Sequence, residues 1–205
     1  MILVVSAVPQ EIEWLGNRAE TEVLVAGIGP VDAAARVTRA LAGGKYEVVV
    51  NAGIAGAMRG VAKIGDGVVV GEELMEFNLE TGEPLSLPHG VPIVERVSAD
   101  PQLCDAVEAL GFHLVRGMTV TRVTSTDATA ARLHARGAQV ESMEGFAVLR
   151  AAQLAGVPAI EVRGISNYVG DRSTSEWDFT AGITGLRRIL NSTLDVLFPI
   201  QTNDD

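Results

Sequence analysis

At 205 residues the chain is long enough for one domain with a sizeable core, and a hydrophobic content of 47% excludes a disordered chain. A formal net charge of −10 without a Lys/Arg cluster argues against nucleic acid and anionic membranes as partners, and 4% aromatics argues against a stacking platform for single strands. The single cysteine, Cys104, excludes an intrachain disulfide and a cysteine zinc cluster. The scattered His89, His113 and His134 add no metal-ligand spacing, so no metal is expected.

Residues 1–7 read as a buried strand, because the apolar run is too short for a signal peptide and has no basic leader. No run approaches the roughly 20 apolar residues of a membrane span, and a cytoplasmic protein is expected. A helix is predicted from about Gln10 to Asn17, a strand over Val23–Ala26 and an Ala-rich helix over Val31–Leu41. Glu47–Asn51 reads as a third strand running into a glycine-rich turn, Ala52–Ala57, and Gly67–Val70 as a fourth. Residues 76–92, with Gly82, Pro84, Pro88, Gly90 and Pro92, read as a loop. Helices follow over Pro101–Leu110, capped by Asp100, and from Thr126 or Asp127 through Ala135, with a strand over Leu114–Thr121 between them. Gly145–Ala155 reads as a buried helix stopped by Gly156 and Pro158, Ala159–Ile165 as the last core strand, and Thr180–Leu197 as a closing amphipathic helix. The tail 201–205 reads as frayed. Strands alternating with helices define an α/β fold.

In such folds ligands collect at the carboxyl ends of strands. Polar or glycine-rich segments follow Ala7, Ala26, Asn51 and Ile165, which favours one crevice. Gly27-Ile-Gly29-Pro-Val-Asp32 superficially matches a dinucleotide fingerprint, but Asp32 stands at the third glycine position and would repel a pyrophosphate, so a tight turn before a helix is the better reading. Glu11 falls in the first turn of a helix, where the helix dipole favours an anion. Glu144 opens an apolar helix beside Met143, a setting in which a carboxylate needs a partner: Arg163 or sugar hydroxyls. Asn167 reads as a strand-end turn residue or a ligand contact, and Trp177 and Phe179 as packing residues.

Ser6-Ala-Val-Pro-Gln-Glu11, Gly27-Ile-Gly29, Asn51-Ala-Gly-Ile-Ala-Gly56, Ile64-Gly-Asp66, Ser142-Met-Glu144 and Arg163-Gly-Ile-Ser-Asn167 fall in an order and spacing that resembles the purine nucleosidase/phosphorylase family over nearly the whole chain. The resemblance is closest to the methylthioadenosine/adenosylhomocysteine nucleosidases and, through Arg163–Arg172, to the futalosine hydrolase branch. It implies a single domain over 1–205, built as a three-layer α/β/α sandwich on a central mixed sheet. It also implies a purine nucleoside substrate, no cofactor and a homo-oligomer.

By the same resemblance Glu11 activates water, Glu144 holds the ribose hydroxyls with Met143 packed on the sugar, and Asn167 meets the leaving base. Gly53, Ile54, Ser125 and Ser166 complete the implied substrate contacts. Asn51 and Ile54 stand where phosphorylases carry an Arg and a hydroxyl, which favours water over phosphate as nucleophile. Asn167 stands where adenine-cleaving members carry an Asp. An amide cannot act as a Brønsted acid, but it can donate to a 6-oxo group and accept from N7–H. The implied reaction is hydrolysis of a hypoxanthine nucleoside, with adenine release as the alternative. Arg59, Arg96, His89 and Arg122 are candidates for a carboxylate at the substrate's far end.

Overall fold

The apolar run Ile2–Val5 folds as β1 (Ile2–Ser6), buried at every position. It pairs in parallel with β2 (Thr21–Val25) on one side and β3 (Val48–Ala57) on the other. The computed structural model describes residues 1–79, 81, 83, 85–173 and 177–198. Further strands are β4 (Gly67–Met75), β5 (Arg96–Ser98), β6 (His113–Thr119), β7 (Val140–Ser142) and β8 (Ala159–Tyr168). The helices are α1 (Pro9–Ile12), α2 (Pro30–Leu41), α3 (Pro101–Glu108), α4 (Asp127–Ala135), α5 (Gly145–Ala155) and α6 (Phe179–Leu197).

The strands form one mixed sheet of order β2-β1-β3-β7-β6-β4-β5, with β8 paired to both β3 and β4. Because β8 bridges those two, β3, β7, β6, β4 and β8 close into a ring. A small apolar cluster of Ala55, Ala57, Val68, Val70, Val115, Val140 and Ile165 draws on all five of these strands and fills its inside. The mixed sheet is as expected, and this curling is what the sequence pattern did not show. Outside the ring α6 lies along β8 at Gly164, while α2 and α5 pack on each other over the β1–β3 half.

Local signals account for most boundaries. Asp100 caps α3 by accepting from the N–H groups of Gln102 and Leu103, Thr126 caps α4 through Thr129 N–H, and α5 stops where Gly156 takes φ 68°. The helix expected over Gln10–Asn17 is shorter: α1 gives way to a 3-10 turn at Glu13–Leu15, ended by Gly16 at φ 63°. Ala52–Ala57, expected as a turn, is strand. Its glycines mark where neighbouring side chains press on the backbone, since a Cβ on Gly53 would lie 2.4 Å from Arg163 Nη1. β5 and β7, at three residues each, are too short to show a period. The loop expected over 76–92 holds a 3-10 turn at Pro88–Gly90; residues 80, 82 and 84, like the tail 201–205, lie outside the described residues. Among the described residues no helix is long and apolar enough to cross a membrane.

Candidate active site

The parallel strands β1, β3 and β8 deliver their carboxyl-end halves to one cavity of about 230 Å³, and Glu11, Ile54, Met143, Glu144, Ser166 and Asn167 all line it. Two expected contacts are placed elsewhere. Gly53 lies under the wall, where its missing side chain leaves room for Arg163 and Glu11; Ser125 is exposed and outside the lining. Arg59, Arg96, His89 and Arg122 do not line the cavity either: Arg59 stacks on Tyr168 and Arg96 pairs with Glu72.

Glu11 is 4% exposed and its carboxylate is fixed mainly by main chain. Oε2 accepts from Ser6 Oγ at 2.8 Å and from the N–H groups of Ala7 and Val8 at 3.2 and 3.3 Å, while Oε1 accepts from Ile54 N–H at 2.8 Å. Being the third residue of α1, it reaches back to the N–H groups that its own helix start leaves unpaired.

Glu144 is the N-cap of α5, yet its side chain turns away from α5 and accepts Gly29 N–H at 2.8 Å, at the N-cap of α2. The backbone amide of the Gly27–Gly29 turn therefore serves a protein carboxylate, which sits at the N-terminus of α2. Burial pushes the Glu144 carboxyl above its usual range, while the Arg163 charge and the Gly29 N–H hold it down.

Beneath both acids, inside the ring, Arg163 is 2% exposed and donates from Nε to Glu161 Oε1 at 2.7 Å. Burial alone would lower its pKa, but the charges of Glu161, Glu144 and Glu11 raise it, so the guanidinium stays charged. Glu73 completes the layer, accepting from Thr119 Oγ1 at 2.6 Å. A Cβ on Gly145 would lie 2.5 Å from Glu73 Oε1 and 2.7 Å from Glu161 Oε2, so the two carboxyls converge on the start of α5. Burial and the Glu161 charge push Glu73 well above the carboxylate range, which favours its proton-bearing form.

The Asn167 end of the cavity is held differently. Asn167 Oδ1 accepts from Ser166 Oγ at 2.9 Å and from Trp177 Nε1, and Nδ2 donates to the Tyr168 carbonyl at 3.2 Å. Trp177 and Phe179, expected as packing residues, are 57% and 41% exposed and line the cavity rim, with Arg172 stacked on Trp177. Sequence reasoning did not single out Glu141. It is 8% exposed, lines the cavity and accepts from both the N–H and the hydroxyl of Thr124. Its signal was available as an acid two residues before Met143, but only the pairing of β7 shows that it faces the cavity. Among the described residues no group of three or more His, Cys, Asp or Glu is placed to hold a metal ion.

Residues 16–192 match the Phosphorylase superfamily. The chain belongs to that superfamily. Among curated relatives, the futalosine hydrolase of Streptomyces coelicolor is 36% identical over 188 residues, 86% of this chain and 79% of the relative. That of Thermus thermophilus is 32% identical over 194 residues, 89% of this chain and 85% of the relative. Among solved structures, the Streptococcus pyogenes S-adenosylhomocysteine nucleosidase in complex with 5-methylthiotubericidin has a TM-score of 0.79 at 19% identity, covering 96% of each chain. The Neisseria meningitidis 5′-methylthioadenosine/S-adenosylhomocysteine nucleosidase with methylthio-immucillin-A has a TM-score of 0.76 at 17% identity, covering 94% of this chain and 97% of that one. At these identities the solved structures show the fold.

Proposed function

We infer that the protein is a nucleosidase that hydrolyses the N-glycosidic bond of futalosine, releasing hypoxanthine and dehypoxanthinyl futalosine, a step of menaquinone biosynthesis. The observation that carries this reading is the meeting of Glu11, Glu144 and Asn167, remote along the chain, in the wall of one cavity. Futalosine hydrolase relatives at 32–36% identity supply the substrate.

Water oxygen adds to ribose C1′, the C1′–N9 bond breaks with its electron pair passing to the purine, which takes up a proton from solvent, and Glu11 takes a proton from the water. Glu144 holds the ribose hydroxyls and faces the positive charge that develops on an oxocarbenium-like sugar, with Met143 packed against it. Ile54 and Ser166 complete the contacts, and Asn167 meets the base. The lining favours water over phosphate. Among the described residues it contains Glu11, Glu141 and Glu144 and no Lys, Arg or His, and Arg163 beneath it is already surrounded by carboxylates. A phosphate dianion has no cationic partner there. The reading extends to a cytoplasmic homo-oligomer, and the exposed apolar lining residues Ile28, Trp177 and Phe179 support a rim covered by a second copy.

Incubation with futalosine in phosphate-free buffer, followed by chromatography of the released base, tests the reading. Hypoxanthine is expected. No base release, or release only with phosphate, overturns it; adenine release from methylthioadenosine in preference would establish the alternative nucleosidase activity.

A further inference from the structure

We propose that Glu73 is a positioning residue for the reaction: it shares one proton with Glu161, and that proton joins the first turn of α5, which follows Glu144, to Arg163 beneath Glu11. Neither Glu73 nor Glu161 lines the cavity. The kinetic part of the inference rests on the nucleosidase reading above; the shared proton does not.

Both carboxyls are wholly buried, and the fold makes room for them. The pairing of β4 with β6 shifts register between Val70 and Glu72, which carries the inward face of β4 from Val70 to Glu73. Glu73 is then the partner of Gly117 on β6, where a Cβ would lie 1.8 Å from Glu73 Oε1. A Cβ on Gly145 would lie 2.5 Å from the same oxygen and 2.7 Å from Glu161 Oε2. Two glycines thus leave the space in which these two oxygens meet. Among the described residues neither oxygen receives a hydrogen bond from any other group. A buried acceptor without a donor is costly, and one proton between two facing acceptors satisfies both.

The remaining oxygens are already committed. Glu73 Oε2 accepts from Thr119 Oγ1 at 2.6 Å, and Thr119 Oγ1 accepts from Phe146 N–H at 2.7 Å in the first turn of α5. Glu161 Oε1 accepts from Arg163 Nε at 2.7 Å. With Glu73 Oε1–H donating to Glu161 Oε2, one unbroken chain of hydrogen bonds runs from α5 to Arg163. One end lies beside Glu144, the N-cap of α5. At the other end Arg163 and Glu11 meet over Gly53, where a Cβ would lie 2.4 Å from Arg163 Nη1 and 3.0 Å from Glu11 Oε1. Burial, the Glu161 charge and the hydrogen bond to Glu161 all raise the Glu73 pKa against the pull of Thr119 and Arg163. The other groups facing the pair are Glu11 and Glu144 beyond Arg163, and Cys104 on α3, whose thiol burial pushes up to about 12. Loss of the proton would set two carboxylates against each other in a medium that screens little. Separating them moves the start of α5 or the Glu161–Arg163 pair, and so disturbs Glu144 or Glu11. A glutamine at 73 accepts from Thr119 and donates to Glu161, and reproduces the chain at every pH.

The test compares wild type with Glu73→Gln by infrared spectroscopy and by kinetics. At neutral pH wild type should show the C=O stretch of a buried protonated carboxyl that Glu73→Gln lacks. No such difference overturns the shared proton, and this measurement needs no substrate. The kcat on futalosine is then followed as pH rises, each protein scaled to its own neutral value, over the range in which circular dichroism is unchanged. Wild-type kcat is expected to fall about ten- to hundredfold as the carboxyl band disappears, while Glu73→Gln keeps its value. Coinciding profiles overturn the positioning role. Should the variant fail to fold, wild type alone decides: a kcat that does not follow the band overturns the proposal. Absence of hypoxanthine release from futalosine by wild type at any pH is instead the failure of the nucleosidase reading.

Discussion

The proposed sugar end and the proposed base end of the cavity are built by opposite means. Glu11 and Glu144 are held chiefly by main-chain N–H groups, those of Ala7, Val8, Ile54 and Gly29, over a buried Arg163. Asn167 and Glu141 are held largely by side chains: Ser166, Trp177 and the Thr124 hydroxyl. Main-chain donors cannot be substituted away, so the end proposed to carry the bond-breaking chemistry is tied to the fold itself. The end proposed to meet the base can be respecified one residue at a time.

The largest effect expected under this comparison is Glu11→Gln, which keeps most of the hydrogen bonds but removes the proton acceptor. Turnover on futalosine should fall about 10²–10⁴-fold with substrate binding little changed. Near-normal turnover in single-turnover assays would remove the catalytic meaning of the sugar end. Next, Glu161→Ala leaves the Arg163 guanidinium buried without its bonded carboxylate, and urea denaturation should show a loss of about 3–5 kcal/mol. A loss under 1 kcal/mol would mean that the layer beneath the acids is not needed to hold them. Asn167→Ala should cost roughly tenfold in kcat/KM on futalosine and leave the denaturation midpoint close to wild type. A large destabilisation would make the base end as structural as the sugar end.

A smaller effect concerns pH. Glu73 has its folded pKa raised well above its ordinary value by burial and by Glu161. Below the ordinary carboxylate range both folded and unfolded chains carry its proton. As pH rises past that range the unfolded chain releases the proton first, so the stability contributed by the protonated form declines as pH climbs toward the folded value. Glu73→Gln is neutral throughout and can donate toward Glu161. Its melting temperature should therefore fall less than that of wild type between acid and neutral pH, and parallel curves would refute a proton on Glu73. The smallest effect is spectroscopic. Trp177 Nε1 occupies an Asn167 oxygen lone pair that a protonated N7 would use, so saturating hypoxanthine should change Trp177 fluorescence in a Trp14→Phe background. An unchanged spectrum would mean that the base binds without displacing the indole.

Local signals read well from the sequence because their causes are local. Asp100, Thr126 and Gly156 act within one turn of their helices, and the Val-rich runs of β1 and β4 are buried enough to show as apolar blocks. The readings that changed depend on distant partners. Ala52–Ala57 looks like a turn because it is rich in small residues, yet those residues are small because Arg163, Glu11, Asn167 and Val169 press against them. Ser125 sits next to Thr124 in sequence, but it is Thr124 whose side chain reaches Glu141.

The order of the chemical groups along the chain, their acidic and amide character, and Asn51 and Ile54 where phosphorylases carry an Arg and a hydroxyl were written in the sequence, and through the family resemblance they favour a water-using nucleosidase. The pairing of β8 with both β3 and β4 was not. Strand order is set by which long-range hydrogen bonds close with the apolar faces inward, a sum over the whole molecule that no local window contains. That closure alone puts Arg163 beneath two acids and lays Glu141, Gly56 and Asn167 in one row.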